Sequence, residues 1–437
     1  VNGFGEMRII ADLQIHSKYS GATSSRMVLE ELSYYARLKG LDVLGTGDAL
    51  HPIWMEELKR GLEKVDEKGV YRLRGSGGGP LFIVQTEVAT IHELDKKTRR
   101  IHHVILFRDL EAAAQAADLL SKYGDLRSDG RPILDITPAF LVELMMEVSQ
   151  DCLIFPAHAW TPWWSIFGAI SGVDTVEECY EDKSDKIYAI ETGLSSDPLM
   201  NWRVSRLDRY TLLSSSDSHS PYPYRLGREA VVFELEDVSY DEIVDAIKKK
   251  DSKRIIMTLE VPPSYGKYHW SGHRRCGVGP IPPARAREMG YRCPICGRRL
   301  TKGVEDRVEE LADRPPGARP PGALDFQYVI PLQELIAVSM GLDYSSETAL
   351  NSKKVWQQYM GLINSLGNEF HILLDASLEK IAEVSGPRLA TLIADMRRGA
   401  IKIRPGYDGV YGRIIFSSAS GNTRTLTQKR GSLEDFL

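Results

Sequence analysis

The sequence has little cysteine, no long apolar run and no excess of basic charge, and each shortage narrows what the chain can be. Five cysteines in 437 residues are too few, and odd in number, for a disulfide framework. Three of them, Cys276, Cys293 and Cys296, fall in one short segment, which reads as a metal site in a reducing compartment. No uninterrupted apolar stretch approaches the roughly 20 residues needed to span a bilayer, and no charged-apolar-small leader opens the chain. A soluble, cytoplasmic protein with no membrane contact is therefore expected. The formal net charge of -5 argues against a generally basic nucleic-acid-coating protein, so any contact with DNA has to come from local clusters of Lys and Arg. No internal repeat is present. What remains is an ordinary globular composition, 43% hydrophobic and 26% charged, on a chain long enough for two or three domains.

Between residues 8 and 260 short apolar runs alternate with helical patterns: RIIADLQI, LDVLGTGD, LFIVQTEV, HHVILF, CLIFPAH, KIYAIETG and YTLLSSSD. That succession predicts an α/β domain, and polar residues at the C-terminal ends of most of the runs predict a closed or distorted β/α barrel with its site at that end. Residues 261–314 are rich in Arg, Gly, Pro and Cys and too few for a core without a staple, so a small zinc-binding basic module is expected there. A Pro/Gly linker at 315–324 leads to a mainly helical domain at 325–416 and a tail at 417–437. Within the helical domain, Ser385-Gly386-Pro387 joins two helical patterns. Such a turn can offer amides to a phosphate, but is more often an ordinary helical hairpin.

The residues with chemistry to offer are Asp12, Gln14 and His16 in ADLQIHS, Asp48 and His51 in GTGDALHP, Glu87 in QTEVA, His102 and His103 in RIHHVIL, His158 in FPAHAW, and Asp217 and His219 in SSSDSHS. Residues two apart on a strand face the same way, which would align Asp12, Gln14 and His16, and also Asp217 and His219. A single His at a strand end is more often a packed polar residue than a ligand. Six or more such strand ends in order point instead to clustered divalent cations, of the kind that polarise a phosphoryl oxygen and activate water. Imidazole and carboxylate suit zinc, manganese or iron. His51 and one of His102 and His103 are the bystanders in this reading.

These motifs resemble the PHP (polymerase and histidinol phosphatase) superfamily over residues 8 to 260. The resemblance implies two or three divalent metals (zinc, manganese, magnesium or iron) held by Gln14, His16, Asp48, Glu87, His102 or His103, His158, Asp217 and His219. Asp217, Glu87 and His16 would carry the catalysis. Gln14 departs from the pattern, because that superfamily opens with His-x-His, and an amide oxygen is a weak neutral ligand beside imidazole.

His273-x2-Cys276-x16-Cys293-x2-Cys296 has the two-knuckle spacing of a structural zinc site, with His269 as the alternative fourth ligand. Between Lys267 and Gly303 nine Lys or Arg residues face one acid, Glu288. Arg274, Arg275, Arg298 and Arg299 in that stretch are candidate phosphate contacts, against the bland reading of a solvated surface. A PHP-like barrel followed by KYHWSGHRRCGVGP, YRCPICGRRL and a helical domain resembles endonuclease Q through most of the chain. The resemblance implies cleavage of DNA 5′ of uracil, hypoxanthine, xanthine or abasic sites by metal-activated water.

Trp160, Trp163, Trp164 and Phe167, just after His158, would then be placed to wedge a duplex or hold an extruded base, with packing under a loop as the even alternative. The final RGSLEDFL resembles the motif by which repair proteins bind sliding clamps, with Leu433, Phe436 and Leu437 as anchors and Arg430 where Gln is usual. The partners expected are thus damaged DNA and a sliding clamp of the proliferating cell nuclear antigen type. Two other functions fit the same sequence: a PHP phosphoesterase for a small phosphate monoester, and a DNA-binding, clamp-tethering protein whose site has decayed at Gln14.

Overall fold

The computed structural model describes residues 6–415; the expected clamp anchors Leu433, Phe436 and Leu437 lie outside the described residues. The apolar runs form strands where their β-branched residues predict them. Met7–Asp12 pairs in parallel with Val43–Gly45, which pairs in parallel with Leu81–Leu94. Lys97–Phe107 then returns antiparallel along Leu81–Leu94, and Leu153–Pro156 runs antiparallel to it in turn. Between the two long strands Asp95 and Lys96 adopt left-handed conformations (φ 51° and 59°), as a two-residue hairpin turn matched to the strand twist requires.

The ring continues where Ala159 N–H donates to the Glu191 carbonyl at 2.9 Å, and Ala189–Glu191 pairs in parallel with Thr211–Leu213. It closes on the first strand through Asp217 N–H to the Gln14 carbonyl and His16 N–H to the Ser218 carbonyl, at 3.1 and 3.0 Å. The result is an α/β barrel distorted by one antiparallel hairpin. Ile83 shares a strand face with Glu87, as Val104 and Leu106 do with His102, so the apolar cluster they form with Ala11, Leu13, Phe155 and Leu213 fills the barrel below those polar residues. Helices such as Leu110–Leu120 and Pro138–Val148 cover the outside, each begun by a side chain (Asp109, Thr137) that accepts a hydrogen bond from an N–H of the first turn.

The sheet extends beyond the ring. Ala230–Leu235 pairs with the first strand, Ile255–Glu260 with Ala230–Leu235, and Asp325–Tyr328 in parallel with Ile255–Glu260. A boundary at residue 325 therefore does not divide two independent cores. The helices Leu332–Ser339, Lys353–Leu366, Leu378–Ser385 and Pro387–Arg397 share one apolar cluster with the barrel's outer helices. Residues 403–415 are not helical; they cross back to the cysteine segment, where Trp270 bridges Tyr407. Gly272 and Gly279 make that crossing possible, because a Cβ on either would lie 2.3 Å from the Tyr407 ring. No helix among the described residues is long and apolar enough to cross a membrane.

A buried ion pair fastens the helical region to the barrel. Lys39 Nζ, at the end of Leu29–Lys39, donates to Glu369 Oε1 at 2.7 Å and to the Pro223 carbonyl at 2.8 Å, and the two side chains are 1% and 0% exposed. Glu369 also accepts from Leu332 N–H and from the Tyr359 hydroxyl, both at 2.9 Å. Such a pair tolerates burial only while every partner is present, and removing one charge alone costs about 3–5 kcal/mol. Glu369→Leu is therefore expected to lower the urea midpoint sharply. The double variant Lys39→Met/Glu369→Leu should recover much of that loss, and a double variant no better than the single one would refute the account.

Candidate metal centre

The hairpin register decides which residues meet inside the barrel. His102 lies opposite Ala89, and His103 opposite Val88. Glu87 and Ala89 share the inward face, so His102 points inward beside Glu87 and His103 points outward. His103 is held there by Thr90 Oγ1 at 2.9 Å and the Tyr180 hydroxyl at 2.8 Å; it does not join the cluster, and its expected ligand role gives way to a packing one.

Two groups of donor atoms converge, each within 4.8 Å: His16 with Asp217 and His219, and Glu87 with His102 and His158. His16 bridges them. Its Nε2 lies 3.0 Å from Asp217 Oδ1 and 3.0 Å from Glu87 Oε2, and its Nδ1 3.0 Å from Asp48 Oδ1. Glu87 Oε1 sits 2.5 Å from His102 Nδ1 and 3.4 Å from His158 Nε2. Asp48 also accepts from Ser17 N–H and Ser17 Oγ at 2.6 Å and from Ser20 Oγ at 3.0 Å. It therefore anchors His16 and its loop from behind.

Gln14 Nε2 donates to Glu87 Oε2 at 3.1 Å, and its Oε1 is buried without a hydrogen-bond partner. Asp12 stands apart. The first strand ends with it, so the alternation that would align it with Gln14 and His16 no longer applies, and its carboxylate accepts from Ser216 N–H at 3.0 Å, Ser216 Oγ at 2.5 Å and Gly227 N–H at 2.9 Å. His51 caps the Pro52–Gly61 helix and stacks on Tyr19 with ring centres 4.4 Å apart.

Three residues around the site, Asp48, His158 and Asp217, have positive φ (44°, 30° and 48°). A left-handed conformation costs a non-glycine residue of order 1–3 kcal/mol and persists where the surroundings impose it. Here it turns the chain so that His158 and Asp217 face the cluster and Asp48 meets His16 Nδ1 from behind.

The electrostatics follow from burial. Desolvation alone would push Glu87 and Asp217 up, but His102 and Arg131 hold the Glu87 carboxyl well below its ordinary value, and the hydrogen bond from His16 does the same for Asp217. Burial pushes His102 down to about 4, which leaves its imidazole neutral and free to donate a lone pair. His16 is the exception: burial opposes it, yet Asp217, Asp48 and Glu87 hold it well above the ordinary value. Underneath, Glu191 accepts from His158 N–H at 2.8 Å and is pushed up to about 8 by burial. Neither Glu191 nor Arg131 carried a signal in the sequence: Glu191 reads as a strand end among several, and Arg131 as part of a turn, SDGRP.

The aromatic residues after His158 divide. Trp160 is 1% exposed, donates through Nε1 to Asn201 Oδ1 at 2.9 Å and packs on the equally buried Phe167. It is a core residue with no face for DNA. Trp163 and Trp164 remain partly exposed. Trp164 lies with its ring 5.1 Å from that of His102, and Trp163 reaches Tyr268 at 5.6 Å. Arg228 Nε donates to the Ser216 carbonyl at 3.0 Å, next to Asp217. It also lines a cavity of about 270 Å³ together with Leu194, Arg225, Tyr265 and Tyr344.

The cysteine segment forms a second cluster. His273, Cys276, Cys293 and Cys296 bring their donor atoms within 4.8 Å of one another, with His273 Nδ1 3.6 Å from Cys296 Sγ. His269 is not among them; its Nδ1 is buried without a partner, and burial pushes it down to about 4. The segment's own apolar cluster is small, with Ile281, Ala286, Cys293 and Leu300 buried and Val278, Met289 and Tyr291 partly buried against them, so a metal staple suits it. Arg274, Arg275, Arg298 and Arg299 are exposed, and none forms a side-chain ion pair among the described residues, whereas Arg285 and Arg287 pair with Glu288 and Glu309.

Comparison with known proteins agrees with this architecture. Residues 331–400 match the family described as the MJ0043 C-terminal domain. The Methanocaldococcus jannaschii protein MJ0043 is 32% identical over 267 residues; the match takes in 59% of this chain but only 31% of that protein's length. The Bacillus subtilis protein YqxK is 29% identical over 430 residues, 93% of this chain and 99% of its own. The crystal structure of a lesion-specific endonuclease from Pyrococcus furiosus, PfuEndoQ, superposes with a TM-score of 0.81 at 34% identity, covering 93% of this chain and 95% of that one. Endonuclease Q bound to a 27-mer duplex with an abasic lesion at its active site superposes with a TM-score of 0.82, also at 34% identity, covering 93% of this chain and 96% of that one. With a third of its residues identical across nearly the whole length of those structures, this chain belongs to the endonuclease Q family.

Proposed function

We propose that the protein is a metal-dependent DNA repair endonuclease, hydrolysing the phosphodiester 5′ of a deaminated base (uracil, hypoxanthine or xanthine) or of an abasic site. One observation carries the reading. His16 joins two groups of ligand atoms at the barrel mouth, in a family with a member solved on a duplex carrying an abasic lesion.

The donors fit divalent cations. Imidazole and carboxylate atoms converge, Gln14 Oε1 is buried without a partner, and His102 is kept neutral by burial. His16, Glu87, His102, His158, Asp217 and His219 would hold two or three ions, of zinc, manganese, magnesium or iron, with Gln14 as a weak oxygen donor. The chemistry such ions supply when bound is the polarisation of a phosphoryl oxygen and the acidification of a water molecule. The chain's own part is positional. Asp48 fixes the His16 imidazole, Glu191 fixes the turn at His158, and Gln14 holds the Glu87 carboxylate. His273, Cys276, Cys293 and Cys296 would hold a structural zinc.

An extruded nucleotide would be flanked by Trp163 and Trp164 on one side and by the cavity at Arg228, Tyr265 and Tyr344 on the other, while the four exposed arginines of the cysteine segment take phosphates further along the duplex. Leu433, Phe436 and Leu437 would dock on a sliding clamp, a reading that rests on the tail sequence alone.

Asp217→Asn is expected to reduce cleavage of an abasic-site duplex by more than the roughly 10–100-fold that loss of an outer-shell partner costs, with duplex binding nearly unchanged; turnover within a few-fold of wild type would exclude Asp217 as a ligand. Each arginine that neutralises a phosphate adds about 0.9 to the slope of log K against log salt. Replacing Arg274, Arg275, Arg298 and Arg299 together with Ala should thus flatten that slope by about 3.6 in fluorescence-anisotropy titrations, and an unchanged slope would return them to ordinary solvated surface. Phe436→Ala should abolish capture of the chain by an immobilised clamp without altering cleavage of a short duplex.

A further inference from the structure

Arg131 lies beside Glu87 at the metal centre, and its environment is unusual for an arginine. Its side chain is 25% exposed, and its sole ion pair among the described residues is a 3.8 Å approach of Nη1 to Glu87 Oε2, beyond hydrogen-bond reach. None of its five N–H donors is hydrogen-bonded among the described residues, although a guanidinium three-quarters buried ordinarily has them satisfied. Glu87 has closer partners than Arg131: His102 lies at 2.5 Å, His16 at 3.0 Å, and Gln14 Nε2 donates at 3.1 Å.

The backbone around Arg131 is held in place from both sides. Asp129 accepts from Arg131 N–H at 2.9 Å and from Gly21 N–H at 3.1 Å, and Gly130 N–H donates to the Tyr19 carbonyl at 3.0 Å. On the other side Ala89 N–H donates to the Pro132 carbonyl at 2.9 Å. Gly130 is pressed against the centre itself, since a Cβ there would lie 2.3 Å from Asp48 Oδ2 and 2.6 Å from Ser20 Oγ. The turn is thus fastened to the loop that carries His16, packed against the Asp48 carboxylate and tied to the strand that carries Glu87, and it places a partly exposed cation with unused donors beside the cluster.

We propose that Arg131 is a catalytic residue that grips a non-bridging oxygen of the scissile phosphate. In the hydrolysis the oxygen of water bonds to phosphorus, one P–O ester bond breaks, and one of the water's protons ends on the departing oxygen. The non-bridging oxygens carry negative charge throughout, and a forked donor held at fixed distance stabilises that charge with no reorganisation at the moment of reaction. The inference rests on the endonuclease reading above.

The test uses the full chain with Arg131→Ala and Arg131→Lys, and a duplex with one abasic site. Arg131→Ala should slow single-turnover cleavage about 100- to 1,000-fold. Bound metal, by plasma mass spectrometry, and duplex affinity, within about tenfold, should be retained. Guanidinium ions added to the solution should restore part of the lost rate to Arg131→Ala and none to Asp217→Asn. Arg131→Lys keeps the charge beside Glu87 but not the fork, so it should keep its metal and still cleave more slowly than wild type. Cleavage by Arg131→Ala within threefold of wild type would overturn the proposal. So would loss of metal in both variants, which would make Arg131 a counter-ion for Glu87 instead. If the wild-type protein itself cuts no lesion-bearing duplex, the endonuclease reading fails and this inference falls with it.

Discussion

The carboxylates of Asp48, Glu87 and Asp217 are gathered around a single buried imidazole, His16, and the rest of the molecule is arranged to make that concentration of charge tolerable. Buried carboxylates persist only when paired or hydrogen-bonded. The pairing is supplied by three further histidines, by Arg131 and by the hydroxyls of Ser17 and Ser20. Left-handed backbone at Asp48, His158 and Asp217 is the local cost of pointing these groups at one another. Strain of that kind survives because strands on every side fix the positions from which the loops depart.

The same constraint accounts for the division between barrel floor and mouth. Apolar residues fill the barrel up to the level of Ile83, Val104 and Leu213, and above them the inward positions turn polar, at Glu87 and His102 within the two long strands and at His158 and Asp217 in the turns that follow shorter ones. Stability is thereby concentrated away from the chemistry. Much of it lies in the outer apolar cluster that the barrel shares with the C-terminal helices, pinned by the Lys39–Glu369 pair. A sheet that runs from the barrel into Asp325–Tyr328 joins the helical region to the barrel.

Gln14 illustrates how a residue's neighbours define its role. As a replacement for an imidazole it looks like a defect. In place, its amide nitrogen holds Glu87 and its oxygen stays unpartnered in the cluster, so one side chain both orients a carboxylate and offers a donor atom.

Much was legible in the sequence because it depends on local pattern. Alternating apolar runs announced the strands, polar residues after them announced the site, and the spacing from His273 to Cys296 announced the second cluster. What the sequence could not resolve depended on pairing between distant segments. Of two adjacent histidines, the register of the Leu81–Phe107 hairpin sends His102 inward and His103 out, and no property of either residue distinguishes them beforehand. Trp160 and Trp164 are equally aromatic and nearly adjacent, yet Asn201 captures one in the core while the other lies against His102. His269 and His273 have comparable spacing to the cysteines, and folding brings only His273 to them. Arg131 was invisible, since a turn arginine acquires meaning only when Asp129, Gly130 and Pro132 fasten it beside Asp48 and Glu87. Residue types and their periodicity fixed which chemistry the chain can perform, because ligand softness and strand alternation are properties of short segments. Which members of each set perform it was left to the tertiary structure, because a side chain's direction is set by strand register and close packing between parts of the chain far apart in sequence.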